Sequence, residues 1–127
     1  MNTVVRQIIE TRLNTVINNL YPIEFDNTKI LSKAGFPFLR CNVDQVFSNP
    51  IALSCDRDVY VVEIQVLTPF GEGTERNLDI AETIREGFRK YEEGYFHVIG
   101  SRIVRRGQFD EWHQRDVLID AYYDNHY

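Results

Sequence analysis

Apolar residues near the N-terminus recur at intervals of three and four: Val5, Ile9 beside Ile8, Leu13, Val16, Ile17 and Leu20, with Asn, Thr, Arg and Glu between them. That spacing predicts a helix with one apolar stripe, lying most simply on a sheet. Asn2 or Thr3 is its expected cap, and Pro22 is its expected stop. After an irregular stretch, DNTKILSKAGFPF, the period changes to two. Leu39, Cys41, Val43 and Phe47 point one way, and Arg40, Asn42 and Asp44 the other. SNPIALSCDRD reads as a connecting turn or long hairpin loop around Pro50. The strongest strand is DVYVVEIQVLT. Tyr60, Val62, Ile64 and Val66 make its apolar face, while Val61, Glu63, Gln65 and Leu67 make a mixed one. A mixed face is either half wet or set against another polar surface.

A second helix is predicted after PFGEGT. Thr74 is the expected N-cap, and Leu78, Ala81, Ile84 and Phe88 form the stripe. Gly87 inside it costs about 1 kcal/mol relative to Ala, a cost that close approach to the sheet would justify. Gly94 is the expected left-handed cap. Two strands complete the pattern, YFHVIGSRIV and WHQRDVLIDAYY, joined through RRGQFDE. In the last, Val117, Ile119, Ala121 and Tyr123 alternate with Leu118, Asp120 and Tyr122. The order helix, strand, strand, helix, strand, strand predicts one α+β domain over 1–127. Its sheet is antiparallel or mixed, of about four strands, with two helices packed on one face.

Composition narrows the function. A length of 127 residues supports one core and not two. The net charge of −5 lowers the expectation of broad nucleic-acid binding, which draws on a basic surface. No apolar run is long enough for a bilayer. Arg6, Glu10 and Arg12 break the N-terminal segment, so it does not read as a signal peptide. Cys41 falls in an alternating apolar pattern and Cys55 near a loop, so two free thiols are expected.

Candidate chemistry is thin. GEGTER has the outline of a phosphate loop, but it lacks the Lys that would neutralise a phosphate and the third glycine of a dinucleotide fingerprint. Glu72 and Glu75 stand where the anion would sit, and carboxylates there suit the helix dipole by themselves. The turn is therefore read as a turn. A small-molecule or nucleotide site at Gly71–Gly73 is the alternative from another class. His97 and His113 fall in adjacent predicted strands, which would bring them together across a hairpin, but two further metal ligands are wanting. No nucleophile elbow or Cys–His–acid order is present. No cofactor, metal or catalytic residue is expected. Arg102, Arg105 and Arg106 would cluster near one end of the sheet. Arginines of one copy meeting Asp116, Asp120 and Asp124 of the next would make a head-to-tail contact that closes into a ring.

The order of elements resembles the phage tail-terminator and tail-completion proteins of siphophages and prophages. The likeness rests on a helix ending near YPIEFDN, on the extended FPFLRCNV, and on VYVVEIQVLTPFGEGT leading into NLDIAETIREGF. It also rests on a last strand opening at an aromatic, EWHQRDVLIDAYY. One departure is DRDVY, where similar proteins often carry a glycine. The resemblance implies a non-enzymatic role. Such proteins form a ring, typically of six copies, on the end of a finished tail tube. They stop its growth and offer a surface to the head-completion or connector protein. The partners implied are other copies, the major tail tube protein and that connector, with neither membrane nor sequence-specific nucleic acid. The location implied is the tail or neck of the virion, assembled in the host cytoplasm. Another head–tail connector or minor tail protein is the near alternative. The helices would lie outside a sheet whose other face serves the ring. Alternation places Arg40, Glu63, Gln65, Arg102, Arg105, Arg106, Asp116 and Asp120 as its interface candidates, a moderately polar surface.

Overall fold

The computed structural model describes residues 3–25, 37–69, 75–109 and 112–126. Its elements run α1 (Thr3–Val16), β1 (Ile23–Phe25), β2 (Phe38–Ala52), β3 (Cys55–Pro69), α2 (Glu75–Phe88), β4 (Glu92–Glu93), β5 (Phe96–Phe109) and β6 (Trp112–His126). The six strands form one mixed sheet in the order β1-β2-β3-β6-β5-β4. β1 runs parallel to β2, and every other neighbouring pair is antiparallel. The α+β class and the two helices over one face agree with the expected fold. The strand count does not: β1 and β4 are three and two residues long, too short for an alternation to announce them.

Both helices bury their stripes on the same face. Val5, Ile9 and Leu13 of α1 join Ile80, Ala81, Ile84 and Phe88 of α2. They pack over Leu39, Cys41, Val43, Tyr60, Val62, Ile64, Val66, Val117, Ile119 and Ala121 of the sheet. Each of these strand residues sits on the helix side because the pleat alternates.

Several boundaries differ from expectation. α1 does not run on to Pro22. Asn18 and Asn19 both take positive φ, and the Asn19 N–H donates to the Asn14 carbonyl, which closes the helix end. Leu20 is consequently 63% exposed. Likewise α2 ends at Phe88 with Lys90 in the left-handed region, while Gly94 turns the chain between β4 and β5. Gly87 admits α1 rather than the sheet. A Cβ there would stand 2.3 Å from Val16 Cγ2. The Arg12 guanidinium locks the same junction, donating to the Gly87 carbonyl from Nε at 2.9 Å and from Nη2 at 2.6 Å. Its carbon also lies 4.4 Å from the centre of the Tyr91 ring.

The helix stripe of α2 contains Asn77 where Leu78 was expected; Asn77 is buried and Leu78 only half-buried. The Asn77 amide donates to the Val66 carbonyl at 3.0 Å and the His113 carbonyl at 3.3 Å. It thus ties the start of α2 to the ends of β3 and β6. Caps at Asn2 and Thr74, the DNTKILSKAGF stretch and the glycine turn at 70–74 lie outside the described residues.

The largest correction concerns SNPIALSCDRD. It is not a loop. β2 continues to Ala52, turns through Leu53 and Ser54, and returns as β3 from Cys55. The result is a long arm of β2 and β3, with β6 paired beside β3 as far as Cys55↔His126. Pro50 fits because β2 is at the outside of the sheet there and the register shifts between Pro50 and Ala52. RRGQF is likewise strand: β5 runs to Phe109, with register shifts between Val98 and Gly100 and between Arg105 and Gly107. The extra residues Ile99 and Arg106 are bulges.

Candidate assembly interface

Register fixes which side chains share the face away from the helices. Across β2, β3, β6 and β5 the first row is Arg40, Gln65, Asp116 and Val104. The next is Asn42, Glu63, Leu118 and Arg102, and the third is Asp44, Val61, Asp120 and Gly100. Six of the eight candidates therefore lie on one surface: Arg40, Glu63, Gln65, Arg102, Asp116 and Asp120. Arg106, displaced by its bulge, reaches the same surface through Asp116. Arg105 does not. It is opposite Arg115, which is opposite Val66, so the pair stands on the helix-bearing side.

Within that face most polar groups are already engaged. Asp116 is buried, and it accepts from Arg106 Nε at 2.7 Å and from Gln114 Nε2 at 2.9 Å. The Asp116 carboxylate holds the Arg106 guanidinium above its ordinary pKa, chiefly by that hydrogen bond. Gln65 donates to Glu63 at 2.7 Å, and Arg40 Nε lies 3.7 Å from Glu24. Arg102 and Asp120 stay exposed. A contact between copies through Asp116 or Asp124 would first have to open a pair within one chain, because Asp124 is bound too. Arg57 donates to it from Nε at 2.8 Å and from Nη2 at 3.1 Å. That hydrogen bond holds the Asp124 carboxyl below its ordinary pKa, with burial opposing.

At one end this face is apolar. Phe38 and Leu67, opposite one another, are both buried. Phe38 meets Trp112 edge to face at 4.9 Å between ring centres. At the other end lies the arm. Its outward row carries Val59, Tyr122 and His97, with the His97 and Tyr122 rings stacked at 5.0 Å. Arg57 covers Tyr122 from 4.0 Å. On the helix side of the arm Tyr123, opposite Asp58, still packs against the core, but Ser48, Asp58 and Asn125 near it are polar. Ser48 donates to Asp58 at 2.6 Å and Asn125 donates to the other Asp58 oxygen, a polar ladder across β2, β3 and β6.

The arm also carries what the sequence reading missed. Val46, Phe47, Ile51 and Leu53 are 55%, 49%, 48% and 101% exposed. Scattered exposed apolar residues mean little, but four on one projecting hairpin are a concentrated cost to a lone monomer. The signal was present as VF and IAL flanking SNP, and the turn-forming triplet masked it.

The remaining candidates disperse. His97 is opposite Tyr122 and His113 is opposite Gln108, so the two histidines occupy different ends of the β5–β6 ladder. No group of three His, Cys, Asp or Glu with metal-binding geometry occurs among the described residues. Neither cysteine is in a disulfide, and both are buried. Cys55 Sγ lies 3.8 Å from His126 Nε2, but burial first, then Asp124 and Asp56, raise the thiol pKa. That favours the thiol over the thiolate a nucleophile needs. The Gly71–Gly73 alternative lies outside the described residues. Among those residues no helix is long and apolar enough to cross a membrane.

No family model matches the chain, and no curated protein matches it. Among solved structures, a protein whose name states no function is similar over 98% of this chain and 96% of its own length. Its TM-score is 0.70 at 20% sequence identity, so the likeness concerns the fold alone.

Proposed function

We propose that this protein is a structural subunit of a phage tail: a tail terminator or tail-completion protein that works as a ring without catalysis. Six copies, as the resemblance implies, seat on the finished tube, stop its growth and present a surface to the head-completion or connector protein. The observation that carries the reading is the β2–β3 arm with its four exposed apolar residues, built on a rigid body and covered by nothing among the described residues. Such a surface suits association with copies or with a tube end. The outer face adds rows of alternating charge and apolar groups, engaged enough within the chain to be stiff. Complementarity of shape and charge then does the work, and the buried, protonated Cys55 and the dispersed histidines have no part in it.

The test is genetic. Tail assembly from a gene set lacking this protein should yield over-long or unstable tubes, restored by supplying it. Tubes of normal length and stability in its absence would overturn the reading. Tubes of normal length that fail to join heads would instead favour the neighbouring role of a head–tail connector.

A further inference from the structure

The positive charges of this acidic chain are unevenly satisfied. Arg12 is held by the Gly87 carbonyl, Arg40 by Glu24, Arg57 by Asp124 and Arg106 by Asp116. Among the described residues Arg85, Lys90, Arg102, Arg105 and Arg115 make no ion pair or side-chain hydrogen bond. Arg102 belongs to the outer face. The other four stand along β5 on the side that bears the helices. Arg85 and Lys90 line a groove of about 440 Å³ with Val98, Gly100 and Ser101 of the strand. Glu86, the acid in the same lining, lies 3.8 Å from Arg89. Farther along, Arg105 and Arg115 stand directly opposite one another. Like charges so placed cost a sheet stability, a cost that an anion from outside would remove. From Val98 to Arg105 the strand advances about 23 Å, at about 3.3 Å per residue.

With these four cations set aside from a net charge of −5, the rest of the chain carries −9. The natural counterpart of the flank is therefore another copy. Asp116 and Asp124 are taken by Arg106 and Arg57. Asp44 and Asp120 are exposed and make no ion pair among the described residues. They share one row of the outer face with Val61 between them. Two strand spacings separate them, about 10 Å at about 4.8 Å each. The exposed acids of α1 and α2 lie on the flank's own side of the sheet, whereas Asp44 and Asp120 lie on the other. Ile99, 64% exposed, and half-buried Val61 give each surface an apolar residue beside its charges.

We infer that the cationic flank of one copy, Arg85, Lys90, Arg105 and Arg115, seats on the Asp44–Asp120 row of the next copy. The two surfaces are different and lie on opposite sides of the sheet, so the contact is head to tail and propagates until it closes. The inference rests on the ring-subunit reading and names the contact that makes the ring.

Charge reversal tests it. Arg105→Glu with Arg115→Glu, and separately Asp44→Arg with Asp120→Arg, should each raise the threshold concentration for rings in light scattering about tenfold or more, since each sets like charges against one another. Joining all four substitutions in one chain should bring the threshold back towards that of the wild type. A reversed variant with an unchanged threshold, or a fourfold variant no better than the doubles, overturns the contact and leaves the ring reading standing. If a variant fails to fold, salt decides on the wild type: rings held by these charges should need a higher protein concentration in about 0.5 M than in about 0.05 M NaCl. A threshold indifferent to salt overturns the contact. Nucleic acid retained by the wild type and lost from Arg105→Glu with Arg115→Glu, with assembly unchanged, would overturn it too and give the flank to a phosphate backbone. A wild type monomeric at every concentration refutes the contact also, and the tube-length experiment then decides the function separately.

Discussion

The same ribbon of β2 and β3 is built two ways along its length. Near 39–43 and 60–66 its helix-side residues are Leu39, Cys41, Val43, Tyr60, Val62, Ile64 and Val66, all buried under α1 and α2. Farther out, Ser48, Asp58 and Asn125 occupy that side, joined through the Asp58 carboxylate. The body is held by apolar burial, worth about 1.5–3 kcal/mol for each large side chain. The arm is held by its ladder and by cross-strand hydrogen bonds, each contributing only about 1 kcal/mol net. A polar ladder keeps the strands in register without calling for a core, while the arm's apolar residues Val46, Phe47, Ile51 and Leu53 stay exposed.

The comparison breaks most easily on matched phenylalanines. Phe88→Ala should cost about 3–5 kcal/mol in denaturant unfolding, because Phe88 is fully buried in the core. Phe47→Ala should change stability by no more than about 0.5 kcal/mol while weakening self-association. Equal costs would mean that the arm is packed like the body.

Asn77→Ala should cost about 1–3 kcal/mol, since it removes a buried amide and its hydrogen bonds to the Val66 and His113 carbonyls. Unfolding within error of the wild type would show that the tie between α2 and the strand ends is idle.

Gly87→Ala is predicted to destabilise despite the better helix former. Crowding against Val16 costs about 1–3 kcal/mol, more than the gain of about 1 kcal/mol in propensity. The Val16 side chain is β-branched and stiff in a helix, so it yields poorly. Adding Val16→Ala should recover much of the loss. A single variant more stable than the wild type would show that the two helices part freely.

The smallest effect is a pH dependence in the arm. Asp124 titrates below its ordinary value because Arg57 donates to its carboxylate. In acid the unfolded chain therefore binds this proton first. The contribution is complete above the ordinary carboxyl range and fades as pH falls through that range towards the lowered folded value. The pair is partly exposed, so the effect is modest and salt-sensitive. Asp124→Asn should lower Tm slightly at neutral pH and converge with the wild type in acid. A difference between them that grows as pH falls would give the wrong sign.

Much of the body was legible in the sequence because periodicity reports burial directly. The apolar side of β3 and the stripe of α1 read true at Tyr60, Val62, Ile64, Val66, Val5, Ile9 and Leu13. The second helix was placed correctly, but Asn77 was invisible as a core residue, since its burial depends on carbonyls from two distant strands. The arm was misread because Ser48, Asn49 and Pro50 spell a turn, and an edge strand is the one place where a sheet tolerates them. Bulges hid the end of β5 in the same way, carrying RRG through a strand with its register displaced. For the candidate interface, alternation brought Arg40, Glu63, Gln65, Arg102, Asp116 and Asp120 onto one face. It could not show that Asp116 and Asp124 already hold arginines of their own chain, because pairing across strands depends on register.

The central claim is that this chain closes into a ring through surfaces a lone copy leaves open. The most direct measurement is its mass by light scattering over a wide range of concentration, with negative-stain images of the largest species. The account predicts a fixed multiple of 15.0 kDa, constant above a threshold concentration, and closed rings in the images. A monomer at every concentration, or filaments that lengthen without closing, would contradict it.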